Sequence, residues 1–195
     1  MISFLDTRKR IRKQRQQLDV IYQKHAAVNA SRQCMQLPRF RSAKHIALYL
    51  AVNGELSAMP LLERAHAMGK HCYLPVLHPI GHNRLWFARW QPGDPLRPNK
   101  FNIMEPVWNK DSLIEAWALN LVVVPLVAFD RRGGRLGMGG GYYDRTFSWR
   151  AYRRHWQGPL LVGYGYELQK VTHLPQQPRD VSMDVIATEN KLYMG

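Results

Sequence analysis

The stretch LVVVPLVAFDRRGGRLGMGGGYYD, residues 121–144, constrains this chain more than any other. Residues 121–129 run apolar without alternation, the pattern of a strand buried on both faces. The chain turns at Asp130, and five glycines then fall within residues 134–141 (Gly134, Gly137, Gly139, Gly140 and Gly141). Glycine lets backbone N–H groups approach a ligand closely and adopts positive φ without strain. A buried strand, a glycine loop and a helix start at Tyr142 together form a cradle for phosphate. The plain alternative is a long glycine hairpin or a flexible loop.

The 195 residues suffice for one well-buried domain, read here as a single domain over 1–195. No apolar run approaches the ~18 residues of a membrane span, and the longest carries Pro125 inside it. The first residues lack an apolar segment with a small-residue cleavage site, so the expected location is cytoplasmic. Cys34 and Cys72 have no metal-type spacing and fit free thiols in a reducing compartment. His78 and His82 flank a turn and read as a solvated loop rather than a zinc site. Net charge is +14, and residues 1–45 hold eleven Lys/Arg against two Asp, so +9 lies in the first quarter. That balance implies an anionic partner, whether nucleic acid, membrane surface or a nucleotide-like polyanion.

Ser3 with Asp6 three residues on predicts a capped helix start. Phe4, Ile11 and Leu18 recur every seven residues with Tyr22 near the same line, giving one apolar face. Arg8, Lys9, Arg10, Arg12, Lys13 and Arg15 fall on the others, which reads first as a solvated basic face. Two or three of these cations reaching phosphates bound elsewhere is the sharper alternative. Strands are expected at 45–50, 72–76 and 85–90, the last nearer an edge, and a helix at 59–67 ended by Gly69. Residues 92–106 read as an irregular Pro-rich segment, 111–118 as a short helix, 142–153 as helix, and 159–164 and 185–188 as strands. This alternation predicts an α/β chain: a layered, Rossmann-like fold with a mostly parallel central sheet flanked by helices.

The glycine loop fits neither common nucleotide motif. No glycine leads into Lys-Ser/Thr as in a P-loop, and Tyr142 stands where a dinucleotide fingerprint needs Gly or Ala. Arg135 and the loop supply donors, and Asp144 supplies a hard oxygen suited to Mg²⁺, with Asp180 or Asp184 as a second carboxylate. Residues 129–145, FDRRGGRLGMGGGYYDR, closely resemble the signature FD-x-x-G-x-RLG-x-G-x-GYYDR of the 5-formyltetrahydrofolate cyclo-ligase family. The basic N-terminal helix, LAVNGE at 50–55 and RDVSMDVIATE at 179–189 fall in that family's order, so the resemblance covers nearly the whole chain.

The resemblance implies an ATP- and Mg²⁺-dependent ligase that closes 5-formyltetrahydrofolate to 5,10-methenyltetrahydrofolate and releases ADP and phosphate. Leu136, Gly137, Met138, Gly139, Gly140, Gly141, Tyr142 and Tyr143 would hold ATP with Arg135, Arg8, Lys9 and Arg12; Lys9 with Lys13 is a rival register. Folate would meet Leu50, Glu55, Phe101 and the 138–142 loop, with Glu55 accepting from the pterin amine edge. Tyr143 and Arg135 are the expected catalytic pair, with Tyr143 beside the formyl group. Asp144 and Asp184 are the expected metal ligands, Asp184 being preferred to Asp180 because it heads the strand DVIAT. Glu55 and Asp144 also have plain readings as helix caps. The expected partners are the two small substrates and a monomeric enzyme, with neither nucleic acid nor membrane. The rival classes are a nucleic-acid-binding module built on the basic N-terminal third, which lacks interleaved aromatics, and a phosphate-sugar or acyl-CoA enzyme on a similar scaffold.

Overall fold

The computed structural model of the chain describes residues 3–80, 83–152 and 158–195. His82 of the predicted turn pair and Arg153 at the end of the predicted 142–153 helix lie outside these residues. Helix α1 (Phe4–Gln16) begins as predicted, the Ser3 hydroxyl accepting from the Asp6 N–H at 3.1 Å. It does not run on to Tyr22. Asp19 accepts from the Ile21 and Tyr22 N–H groups and starts α2 (Val20–Met35), which the apolar spacing did not reveal. The buried stripe of α2 is Ala26, Ala27, Ala30 and Cys34, small side chains that give a weak hydropathy signal but a close approach. A short α3 (Pro38–Ser42) then leads into β1 (His45–Ala47).

Helix α4 (Met59–Ala67) matches its expected bounds, with Gly69 at φ 74 behind it. Strands β2 (His71–Leu77) and β3 (Leu85–Trp90) form an antiparallel pair. The Pro-rich segment is not irregular: β4 (Leu96–Pro98) and β5 (Met104–Pro106) pair as a hairpin. The predicted 111–118 helix is instead a 3-10 turn, a short strand β6 (Leu113–Ile114) that edges β3, and a second 3-10 turn. Next come β7 (Leu121–Pro125), the small hairpin of β8 (Ala128–Phe129) and β9 (Arg135–Leu136), and α5 (Tyr142–Phe147). Beyond these, β10 (Leu160–Tyr164), β11 (Val185–Ala187) and β12 (Leu192–Met194) complete the chain.

Among the described residues the central sheet has eight strands in the order β12-β11-β10-β7-β1-β2-β3-β6. The pairings β11-β10, β10-β7, β7-β1 and β1-β2 are parallel, so the mostly parallel sheet is as expected. The lack of alternation in β7 has a direct cause. Leu121 and Val123 face a core shared with α2 and α4, while Val122 and Val124 face a second core with Phe87 and Phe147. The chain leaves β1 toward β2 on one side and later returns to β7 on the other. This reversal is the topological switch point, where open α/β sheets bind ligands beyond the carboxyl ends of the strands.

Asp130, 2% exposed, ties down the base of the glycine loop. Its carboxylate accepts from the N–H groups of Arg132 (2.9 Å), Gly134 (3.0 Å) and Leu174 (2.9 Å). A Cβ at Gly134 would stand 2.9 Å from that carboxylate, so the close approach requires glycine. Asp130→Ala is expected to cost about 3 kcal/mol, because two buried N–H groups and one part-buried N–H lose their acceptor. A thermal or urea melt checks this, and a loss below about 1 kcal/mol would deny Asp130 the anchoring role.

Candidate active site

A cavity of about 1030 Å³ opens at the carboxyl ends of β1, β2 and β7, walled by Tyr49 and Leu50 after β1, Leu74, Pro75 and Leu77 of β2, and Pro125. The glycine loop closes another side. Arg8, Leu50, Glu55, Phe101, Arg135, Leu136, Gly137, Met138, Gly139, Gly140, Gly141, Tyr142, Tyr143 and Asp144 all line it. The structure therefore gathers most of the expected site residues around one space. Lys9 and Lys13 are exposed and do not line it, nor do Arg12 and Asp184.

The loop is held from below by cations. The Arg8 Nε donates to the Gly137 carbonyl at 2.8 Å, and Arg12 Nη2 approaches the Met138 Sδ at 3.1 Å. Of the two registers, these contacts bring Arg8 and Arg12, not Lys9 and Lys13, to the glycine loop. Arg145 and Asn83 donate to the Gly140 carbonyl at 2.7 and 3.3 Å. With carbonyls so engaged and Gly139 and Gly141 at φ 106 and 65, the loop takes a path that L side chains rarely adopt. Gly141, not Asp144, is the N-cap of α5; Asp144 sits within the first helical turn.

Arg135 has a side chain only 5% exposed and donates to Asp144 Oδ1 at 2.6 Å. The Val181 N–H donates to the same oxygen at 3.1 Å. The Nε atoms of Arg12 and Arg135 are buried without a partner, so guanidinium donors stay unused beside the loop. Unsatisfied buried donors on cations are what an incoming polyanion would satisfy. Tyr143 lies under Arg135, whose guanidinium is 5.9 Å from the ring centroid. Burial, with Glu55 adding to it, raises the phenol above the ordinary tyrosine value against the pull of Arg135. Tyr143 is thus a neutral hydrogen-bond donor.

Glu55 stands on the turn after β1, 7% exposed, and accepts from the Val52 N–H at 3.1 Å. It does not cap α4, whose N-cap Ala58 has no side-chain bond. Burial lifts its pKa above the ordinary carboxylate value; the Val52 N–H, Arg15 and Arg12 oppose that lift. Phe101 is 53% exposed at the rim and meets Tyr142 edge-on, ring centroids 6.0 Å apart.

Asp184 stands apart from the cavity lining. It precedes β11 at the amino end of a parallel strand, the opposite edge of the sheet from the cavity. Its carboxylate accepts from Arg150 (2.7 and 3.0 Å) and from the Leu161 N–H (2.7 Å). Its position at the head of the strand, the reason for preferring it, sets it on Arg150 rather than on the cavity wall. Asp180 does line the cavity, accepting from the Gln177 N–H at 2.8 Å. Among the described residues no group of three or more His, Cys, Asp or Glu could hold a metal by itself. The donor set fits Mg²⁺ only as an ion shared between a carboxylate and substrate phosphates.

Glu105 and Arg15 were not read from the sequence as site-forming residues. Glu105 is buried and accepts from the Leu77 N–H at 3.0 Å and Asn99 Nδ2 at 2.7 Å, tying the 96–106 hairpin to the cavity wall. No local pattern marks it. Arg15 follows Arg8 and Arg12 at helical spacing, a signal that was present but read as a solvated face. Cys34 and Cys72 are buried and unbridged. No described helix is long and apolar enough to cross a membrane.

Comparisons with known proteins agree with this geometry. The model of the 5-formyltetrahydrofolate cyclo-ligase family matches residues 5–189. The 5-formyltetrahydrofolate cyclo-ligase of Haemophilus influenzae is 39% identical over 178 residues, 90% of this chain and 92% of that one. Its namesake from Escherichia coli K12 is 35% identical over 184 residues, 94% of this chain and 98% of that one. The NMR structure of Aquifex aeolicus 5,10-methenyltetrahydrofolate synthetase superposes with a TM-score of 0.81 at 29% identity, covering 99% of this chain and 93% of that one. On sequence and fold together, the chain belongs to the 5-formyltetrahydrofolate cyclo-ligase family of enzymes.

Proposed function

We propose that this enzyme converts 5-formyltetrahydrofolate and ATP to 5,10-methenyltetrahydrofolate, ADP and phosphate. One observation carries the reading: a single cavity at the switch point has a cationic glycine loop on one wall and the buried carboxylate of Glu55 on another. A triphosphate suits the first wall and an aminopyrimidine edge suits the second. The two substrates then lie side by side, as a direct transfer between them requires.

The chemistry follows from the poor leaving ability of a formyl oxygen. That oxygen attacks the γ-phosphorus and ADP departs, so the formyl carbon now bears a phosphate. The N10 amine adds to this carbon, the carbon–oxygen bond breaks with loss of phosphate, and N10 gives up its proton as the ring closes. Arg8, Arg12, Arg135 and the loop N–H groups orient the triphosphate and take up charge during transfer. Tyr143, neutral and beside Arg135, donates toward the formyl oxygen. Asp144, with Asp180 nearby, would hold Mg²⁺, which when bound neutralises phosphate charge.

Absorbance of the methenyl product in the near ultraviolet tests the reading, in a mixture of enzyme, MgATP and 5-formyltetrahydrofolate. Growth of that band is expected, and its absence with folded protein would contradict the proposal. Asp144→Asn is expected to raise the Mg²⁺ concentration for half-maximal rate about tenfold or more while leaving the fold intact. An unchanged Mg²⁺ titration would remove Asp144 from the metal role.

A further inference from the structure

Arg8, Arg12 and Arg15 lie on one face of α1, but the third behaves unlike the others. Arg15 is 0% exposed. Its Nη2 donates to the Asn53 carbonyl at 3.2 Å and its Nη1 to the Leu126 carbonyl at 3.4 Å, while its Nε has no partner. Among the described residues it forms no ion pair. A guanidinium buried on backbone carbonyls alone is costly, and hydrophobic packing would serve α1 at least as well. A role in function gives it a reason. The turn that presents Glu55 rests directly on it: a Cβ at Gly54 would lie 3.5 Å from the Arg15 carbonyl oxygen and 3.6 Å from the Arg15 Cβ.

We propose that Arg15 is the positioning residue for Glu55, fixing the turn at 52–55 against α1 so that the carboxylate is held in place to accept from the folate. The proposal rests on the reading of Glu55 as the residue that recognises the pterin. The surroundings agree with it. The charged and titratable groups that face Glu55 are Arg15 and Arg12 from α1, Tyr49 beyond β1 and Tyr143 of α5. The two tyrosines are neutral, so the two arginines, with the Val52 N–H, oppose the effect of burial on the carboxyl. Arg12 is already engaged at the loop, and Arg15 sits beneath the turn itself.

The test compares Arg15→Met, Arg15→Gln and Arg15→Lys, each alone and combined with Glu55→Gln. Arg15→Gln keeps an amide donor for the Asn53 and Leu126 carbonyls, so the comparison survives if Arg15→Met does not fold. The neutral variants are expected to raise the folate KM about tenfold, with ATP KM within about twofold. They should also move the acid limb of folate kcat/KM up by about one pH unit, the scale of losing a nearby opposite charge. Arg15→Lys should return the limb toward its original position. In the Glu55→Gln background the Arg15 effect on folate KM should vanish, because the two residues act as one unit. Equal rises in both KM values with an unmoved limb, or an undiminished Arg15 effect without Glu55, would overturn the proposal alone. No methenyl product from the wild-type enzyme would remove the cyclo-ligase reading with it, and an unaltered folate KM in Glu55→Gln would remove the Glu55 assignment and the proposal together.

Discussion

Arg135→Met is expected to lower kcat by about a hundredfold to a thousandfold, the scale of losing one preorganised donor to developing charge. The arginine is almost wholly buried, lines the cavity beside the glycine loop and carries an Nε with no partner. Methionine keeps most of its length and stacking surface over Tyr143, so the loop should hold its path. What disappears is a fixed cation aimed where phosphate charge accumulates. Asp144 would also lose its 2.6 Å partner and keep only the Val181 N–H. Because this donor acts mainly during transfer, kcat should fall much more than either KM rises. Steady-state rates with each substrate varied check this. A kcat within threefold of wild type in a folded variant would mean that Arg135 serves only to pair Asp144.

Glu55→Gln is expected to act on the other substrate, raising the folate KM about a hundredfold. A charge-assisted hydrogen bond is worth about 1.5–3 kcal/mol, and the new amide also turns a donor toward a donor edge. ATP KM should barely move. The pH profile supplies a second signature. Burial puts the Glu55 pKa above the ordinary carboxylate value, against the Val52 N–H, Arg15 and Arg12. Protonation on lowering the pH converts the acceptor to a donor, so wild-type folate kcat/KM should fall on the acid side above the ordinary glutamate range. The glutamine variant should lack that limb. A rise in ATP KM instead, or an acid limb retained in the variant, would place recognition of the pterin elsewhere.

What could be read directly from the chain was local. The glycine loop, the turn at Asp130 and Arg135 can be read because backbone path and charge are written in adjacent residues, while the role of Tyr143 came with the family signature. The run at 121–129 identified a doubly buried strand, which ends at Pro125 before a separate hairpin strand takes 128–129, and α4 ended at its glycine as expected. The misreadings share a cause, which is that burial depends on what lies across space. Arg15 looks like its neighbours Arg10 and Lys13 in sequence, yet α1 is rotated so that it alone among the three is buried. Helix α2 was missed because its core contacts are alanines, and the 96–106 hairpin because its prolines sit at strand ends. Where Asp184 falls was not legible, because a strand's direction relative to the cavity is set by topology, not by its first residue. The basic N-terminal third, which left nucleic acid open as a partner, directs Arg8, Arg12 and Arg15 inward onto the loop and the Glu55 turn.

The account centres on phosphoryl transfer to the formyl oxygen between two substrates in one cavity. The most direct measurement uses 5-formyltetrahydrofolate carrying heavy oxygen in the formyl group, with enzyme and MgATP, followed by mass analysis of the released phosphate. The account predicts that the heavy oxygen leaves in the phosphate, one atom for each methenyl group formed. Heavy oxygen found in water, with unlabelled phosphate, would show that the formyl oxygen never bonded to phosphorus and would contradict it.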